Sequence, residues 1–337
     1  MIGYSAYWYV SRKRLQTSRN LKNENVTTGG ISKRRILFFI IILGITTVLM
    51  LIVFLLLTMW QQSLNRSSYA YPGNYDLSIN IGGVVRNYRM HIPAAYDHEK
   101  PLPLVIVLHW FGGNPRIMEA ATGFSLKADK ENFIVVYPEG NLPDYSWNAG
   151  FCCGQALRNN VNDVEFIRRL VEKTMEDLKI DPKRIYVVGA SNGGMMAHRL
   201  GAELSDIFAA IAVIAGSIGK DPDDHLIIPA PSGPVSVIII HGKQDQLVPY
   251  YGGGRFGERF ASISECVSFW VEANNCSSNP QVETSSDGNV VKNVYSGGVE
   301  GTEVVLYTII DGDHSWSFRG ISTTDTVWEF FKNHPKP

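Results

Sequence analysis

Arg184-Ile185-Tyr186-Val187-Val188-Gly189-Ala190-Ser191-Asn192-Gly193-Gly194-Met195-Met196 is the stretch on which the fold turns. Its first half is apolar and β-branched enough for a buried strand. From Asn192 the spacing becomes helical and continues through Ala197, Arg199 and Leu200. Between the two lies Gly189-Ala190-Ser191-Asn192-Gly193, a G-x-S-x-G. Glycine and serine are common in loops, so the pattern alone carries little weight. Between a strand and a helix it reads as a nucleophile elbow, a tight, strained turn that exposes a serine hydroxyl at the carboxyl edge of a sheet.

Outward from the elbow, the chain alternates between strand and helix patterns. Residues 77–81 and 84–92 flank Gly82-Gly83 and read as a hairpin. Residues 104–108, 133–137, 208–215, 235–240 and 304–310 are apolar runs suited to strands buried on both faces. Helical spacing covers residues 161–178, 260–273 and 323–332. Alternation of this kind predicts an α/β fold, a mainly parallel central sheet with helices on both faces.

A serine hydroxyl attacks poorly at neutral pH unless a base takes its proton and a third group orients that base. In an α/β-hydrolase the order along the chain is Ser, then Asp or Glu, then His, each in a loop after a strand. Asp245 follows the strand at 235–240 and His314 follows the strand at 304–310, so Ser191, Asp245 and His314 are the expected catalytic set. Asp311 and Asp313 lie too close to His314 in the chain to orient it easily. His198 is expected along the flank of the elbow helix, and His109 and His241 at strand ends, where loop hydrogen bonds are the ordinary role. Oxyanion donors are expected from the backbone N–H of Asn192 and from the loop after residue 108, where Phe111 is preferred and Trp110 is next.

The N-terminal part is different. Eight of the 31 Lys and Arg, but one of the 32 acids, fall in residues 1–35, so this head is basic and the remainder acidic. A charge-free run follows from Ile36 to Trp60, about 37 Å long as a helix at ~1.5 Å per residue and sufficient to cross a ~30 Å hydrocarbon core. Lys33, Arg34 and Arg35 on its near side place the N-terminus in the cytoplasm and the rest outside, as a type II single-pass membrane protein. A cleaved signal peptide is the alternative, disfavoured by the length of the run and of the basic segment before it. The expected organisation is a cytoplasmic tail at 1–35, a signal-anchor helix at 36–60, a linker at 61–76 with an Asn65-Arg66-Ser67 glycosylation acceptor, and one domain at 77–337. Cys152, Cys153, Cys266 and Cys276 all lie beyond the run, which fits two disulfides of undetermined connectivity in an oxidising compartment. No metal, organic cofactor or nucleic acid is implied.

The region 77–335 resembles the secreted poly(3-hydroxybutyrate) depolymerases and the related feruloyl and acetylxylan esterases of the first carbohydrate-esterase family. The resemblance rests on Ser146-Trp147-Asn148-Ala149-Gly150-Phe151-Cys152-Cys153-Gly154, on Asn162-Asp163-Val164-Glu165-Phe166-Ile167 and on the elbow. It extends to His241-Gly242 with Asp245 and Val248-Pro249-Tyr250, and to Gly312 with His314 and Trp316. It implies a serine esterase on an α/β-hydrolase fold, with Ser191 as nucleophile, Asp245 as orienting acid and His314 as base. Trp147 and Trp316 are assigned to substrate contact. The implied substrate is an ester, either a polyester oligomer or an acylated polysaccharide. Two departures bear on substrate preference: Trp110 follows His109 where the family has glycine, and Asp313, Ser317 and Phe318 surround the base where the family has Gly before it and Pro-Gly after the tryptophan. A catalytically inactive adhesion or receptor ectodomain on the same fold is the alternative of another class.

Overall fold

The computed structural model describes residues 32–64, 71–255 and 258–337, so the tail at 1–31 and the acceptor Asn65 lie outside it. The chain divides into two units, Met1–Arg66 and Ser67–Pro337. The described residues of the first form one helix, α1 (Lys33–Leu64). Over Lys33–Met59 it is long and apolar enough to cross a membrane, and no residue there is buried. The hydroxyls of Thr46, Thr47 and Thr58 donate to carbonyls three or four residues back, which removes the cost of carrying them in an apolar helix.

The second unit contains strands β1 (Gly73–Ile81), β2 (Val84–Ile92), β3 (Leu102–Leu108), β4 (Ile134–Pro138), β5 (Ile180–Ala190), β6 (Ala210–Ile214) and β7 (Ser236–Gly242). Further along are β8 (Gly253–Arg255), β9 (Glu258–Phe260), β10 (Gln281–Thr284), β11 (Val290–Tyr295) and β12 (Val304–Ile309). Its helices are α2 (Pro115–Thr122), α3 (Phe124–Glu131), α4 (Gly154–Arg158), α5 (Asp163–Asp177), α6 (Asn192–Glu203), α7 (Ile263–Ala273) and α8 (Thr323–Asn333). One ten-stranded sheet has the order β1-β2-β4-β3-β5-β6-β7-β12-β11-β10. Its centre, from β4 to β12, is parallel, and antiparallel strands flank it on both sides. This is the α/β-hydrolase architecture.

The apolar runs are continuous because successive side chains serve two cores. Leu104, Ile106 and Leu108 face one, with Phe166 and Leu170 of α5, Leu200 of α6 and Trp270 of α7. Val105 and Val107 face the other, with Phe124 of α3 and Trp328 and Phe331 of α8. The same alternation along β5 sends Ile185 and Val187 to the first core and Tyr186 and Val188 to the second.

Several expectations need correction. The first strand begins at Gly73, ahead of the expected residue 77, and pairs in register with β2 from Gly73↔Ile92 to Ile81↔Val84. Two disulfides were expected, but one is present, between Cys152 and Cys153. Cys266 and Cys276 are free thiols. Cys266 points inward from α7 and accepts the Ile218 N–H at 3.4 Å, whereas Cys276 lies beyond the end of that helix, 3.6 Å from the Thr302 carbonyl. Burial pushes the Cys266 thiol up to about 11, which keeps it protonated and unreactive.

Candidate active site

Ser191 occupies the turn between β5 and α6 with φ 55 and ψ −120, a conformation that costs a non-glycine residue on the order of 1–3 kcal/mol. Its neighbours explain how the turn is held. A Cβ on Gly189 would come within 2.1 Å of the Gly193 carbonyl oxygen, and one on Gly193 within 2.5 Å of the carbonyl oxygens of Leu108 and His109. Only glycine permits this approach of strand, turn and helix. The Ser191 N–H donates to the Ile214 carbonyl at 2.8 Å, which fixes the turn to the end of β6.

The other two predicted residues meet it there. His314, in the loop after β12, places Nε2 2.9 Å from Ser191 Oγ. Its Nδ1 lies 2.7 Å from Asp245 Oδ2, in the loop after β7. Those two loops are themselves joined, since Lys243 N–H donates to Ile309 O and Gln244 N–H to Gly312 O, both at 2.8 Å. Asp245 is buried, and its Oδ1 accepts the N–H groups of Leu247 and Val248, both at 2.8 Å. Burial alone would raise its pKa; hydrogen bonds from His241 and His314 outweigh that and hold the carboxyl well below the ordinary carboxylate range. Asp313 is exposed, and Asp311 pairs with Arg319, so neither competes for the imidazole.

The residues expected to supply oxyanion donors come from α6 and from the loop after β3. Asn192 opens α6, where a first-turn N–H has no intrahelical acceptor and the helix dipole is positive. Its side chain is pinned, accepting from Trp147 N–H at 2.8 Å and donating to Trp147 O at 3.0 Å. Opposite lies the loop after β3. The buried His109 ring accepts the Gly140 N–H at Nε2, 2.9 Å away, so Nδ1 carries the proton and donates to Trp110 O at 2.7 Å. Burial above all lowers its pKa to about 4, keeping the ring neutral. Gly113 N–H donates to the same carbonyl at 2.9 Å. In a trans peptide the carbonyl and the following N–H point in opposite directions. The Phe111 N–H is therefore turned away from His109.

That cavity has a volume of about 470 Å³ and is lined by Trp110, Phe111, Ser191, Leu247, His314 and Trp316 among others. Such a site holds a serine hydroxyl within hydrogen-bond reach of an imidazole, which is in turn within reach of a buried carboxylate. Its apolar walls suit the acyl part of an ester.

The family described as Esterase PHB depolymerase matches residues 86–230. The chain is 29% identical over 285 residues to the putative esterase NocK of Nocardia uniformis subsp. tsuyamanensis, covering 74% of this chain and 80% of that protein. The chain is similar to this esterase family over residues 86–230 and to curated esterases over about three quarters of its length. It is 28% identical over 256 residues to feruloyl esterase C of Emericella nidulans, covering 73% of this chain and 83% of that one. An acetyl xylan esterase from Aspergillus awamori superposes with a TM-score of 0.57 at 16% identity, over 77% of this chain and all but 1% of that one (99%). A CE1 ferulic acid esterase from Anaeromyces mucronatus gives 0.53 at 16% identity, over 80% and 94%. At such identities the two solved structures share the fold. The chemistry of the esterase is serine-dependent hydrolysis of carboxylic esters.

Two expectations within the esterase fail on placement. Trp147 is fully buried and lines no part of the cavity; its indole N–H donates to the His109 carbonyl at 2.9 Å and its ring stacks on Phe166. It supports the site from beneath. His198 leaves the flank of α6 for the core, where its Nδ1 accepts the Trp270 indole N–H at 2.9 Å. The sequence also hid a buried ion pair, Arg86 to Asp163 at 2.8 Å. Asp163 Oδ2 accepts the Asn148 N–H at 2.8 Å, so the pair anchors the loop that grips Asn192. Truncating one member would strand a buried charge at a cost of about 3–5 kcal/mol. The signal available was the pairing of Asn162, which caps α5, with an acid inside its first turn.

Proposed function

We propose that this esterase cleaves its substrate through an acyl-enzyme on Ser191. His314 takes the hydroxyl proton and returns it to the leaving alcohol, and Asp245 orients the imidazole and stabilises its charged form. The N–H groups of Asn192 and Phe111 receive the developing oxyanion, with Trp110 shaping the loop that presents the second. The observation that carries this reading is the continuous contact from Ser191 Oγ to His314 Nε2 at 2.9 Å and from His314 Nδ1 to Asp245 Oδ2 at 2.7 Å. An adhesion module would have no need of a strained serine in such contact.

The acyl group lies between Trp110, Phe111, Leu247 and Trp316, a wall suited to a hydroxyacyl oligoester of the polyhydroxybutyrate kind. A second reading is an aromatic acyl ester of a polysaccharide. It is favoured by the two indoles and one phenyl ring around the cavity and by relatives named feruloyl esterases. Full-length protein in detergent, offered hydroxybutyrate oligomers, methyl ferulate and acetylated xylan, separates them by kcat/KM. Preference for the oligomers supports the first reading, preference for methyl ferulate supports the second, and hydrolysis of acetylated xylan alone contradicts both.

We further propose that α1 is a signal anchor, with the domain that begins at β1 (Gly73–Ile81) outside the cytoplasm. The support is the basic Lys33-Arg34-Arg35 flank, the apolar span, and a Cys152–Cys153 bond suited to an oxidising compartment. A C-terminal tag should be digested by protease added to intact cells; protection until permeabilisation would reverse the orientation.

A further inference from the structure

The carboxylate that orients His314 has a second imidazole against it. His241 is the next-to-last residue of β7 with its side chain fully buried, and its Nε2 lies 2.9 Å from the Val248 carbonyl and 3.3 Å from Asp245 Oδ2. A carbonyl oxygen only accepts, so Nε2 carries the proton and donates. One N–H is thus shared between the two ends of the turn from Asp245 to Val248. The same turn is closed from inside by Asp245 Oδ1, which accepts the Leu247 and Val248 N–H groups.

The other nitrogen sharpens the point. His241 Nδ1 is buried and has no hydrogen-bond partner among the described residues. With the Nε2 hydrogen directed at Val248, the buried Nδ1 is left without a partner, an unfavourable arrangement for a side chain that only fills space. Tyr250, edge-on at 6.0 Å, packs against the ring without relieving it. A histidine here is worth its orphaned atom for what Nε2 does.

We propose that His241 is a positioning residue for ester hydrolysis, its Nε2–H fixing the Asp245 carboxylate so that Oδ2 meets His314 in one orientation. Four donors then surround Asp245: two backbone N–H groups on Oδ1, and His314 and His241 on Oδ2. A carboxylate held this way cannot swing when the imidazole gains its proton. Displacement of a reacting group by about 1 Å costs on the order of 100-fold in rate, which sets the scale of the effect. The inference rests on Asp245 being the orienting acid.

The test compares His241→Leu, His241→Gln and His241→Asn in the full-length protein, alone and in an Asp245→Ala background, with thermal unfolding as a control. Leu removes the donor and should lower kcat by roughly 10- to 100-fold while KM stays within about twofold. Gln carries an N–H at the reach of Nε2 and should recover most of that loss, whereas Asn carries one at the reach of Nδ1 and should not. The Gln and Asn comparison stands even where Leu fails to fold. In the Asp245→Ala background His241→Leu should cost nothing further, because the group it acts through is gone. Equal kcat for Gln and Asn, or an undiminished loss in the Asp245→Ala background, would show a structural role only and overturn the proposal. Full activity of Asp245→Ala would overturn the assignment of the acid as well, and an inactive Asp245→Ala with a normal His241→Leu would overturn this inference alone.

Discussion

Replacing Asp245 by Asn changes one atom, and the structure dictates which way the amide turns. Oδ1 accepts two backbone N–H groups at 2.8 Å, so the amide oxygen must stay there and the NH₂ must take the place of Oδ2. It then faces His314 Nδ1, which in the native chain donates to Oδ2 at 2.7 Å. The ring accommodates an N–H donor by moving its proton to Nε2, the nitrogen 2.9 Å from Ser191 Oγ, and a protonated Nε2 cannot take the serine hydrogen. The same exchange in the well-studied Ser-His-Asp protease drops kcat by ~10⁴, which corresponds to about 5.4 kcal/mol in the barrier. Asp245→Asn should approach that loss against a soluble p-nitrophenyl ester, with an unchanged fold by circular dichroism. Asp311→Asn and Asp313→Asn should stay within about twofold of the parent, since both side chains are exposed. Retention of a tenth or more of the turnover in Asp245→Asn, or collapse of activity in Asp313→Asn, would refute the tautomer argument.

Stability should fall in mild acid because two imidazoles are buried neutral, His109 with its pKa lowered to about 4 and His198 to about 3, in both cases by burial first. Their folded values lie below the unfolded ~6.5, so between pH 6.5 and 4 the unfolded chain binds more protons and stability drops as pH drops, about 1.4 kcal/mol per pH unit for each. Urea midpoints at pH 7 and pH 5 measure this, and His198→Gln should halve the slope; an unchanged slope would show that His198 takes a proton in the folded chain. Trp147→Phe deletes the N–H on the His109 carbonyl and should cost about 1–3 kcal/mol of stability with KM unchanged, whereas Trp316→Ala should raise KM with a smaller loss of stability. The reverse pattern in calorimetry and steady-state kinetics would return Trp147 to the substrate.

The parts of this fold that could be read from sequence are those where one local pattern has one physical meaning. Residues 104–108 and 185–188 turn every side chain into one core or the other because each strand faces two cores, and the residues that meet at Ser191 stand directly after such strands. Short polar elements left no comparable trace. Helices α2 and α3 have eight residues each and share Gly123, whose φ of 64 breaks the helical run between them. Strand β10 is exposed throughout, so it has no alternation to detect. Trp147 in a loop reads as a surface aromatic because nothing local shows that Asn192 and His109 close over it. Arg86 and Asp163 lie 77 positions apart, and charges in a sequence read as solvated until the chain brings them together. The cysteines were counted correctly as an even set, but pairing depends on which way each side chain points, and Cys266 points into the core.

The most direct test of the account is covalent labelling of Ser191. Full-length protein in detergent at pH 8, treated with a fluorophosphonate, should gain one adduct, mapped by mass spectrometry to the peptide containing Ser191, and should lose ester hydrolysis in proportion. Ser191→Ala should show neither the adduct nor hydrolysis above the residual rate that binding and the oxyanion donors supply. A folded protein that is not labelled, or a Ser191→Ala variant that still hydrolyses esters at the parent rate, would contradict the claim that this serine is the nucleophile.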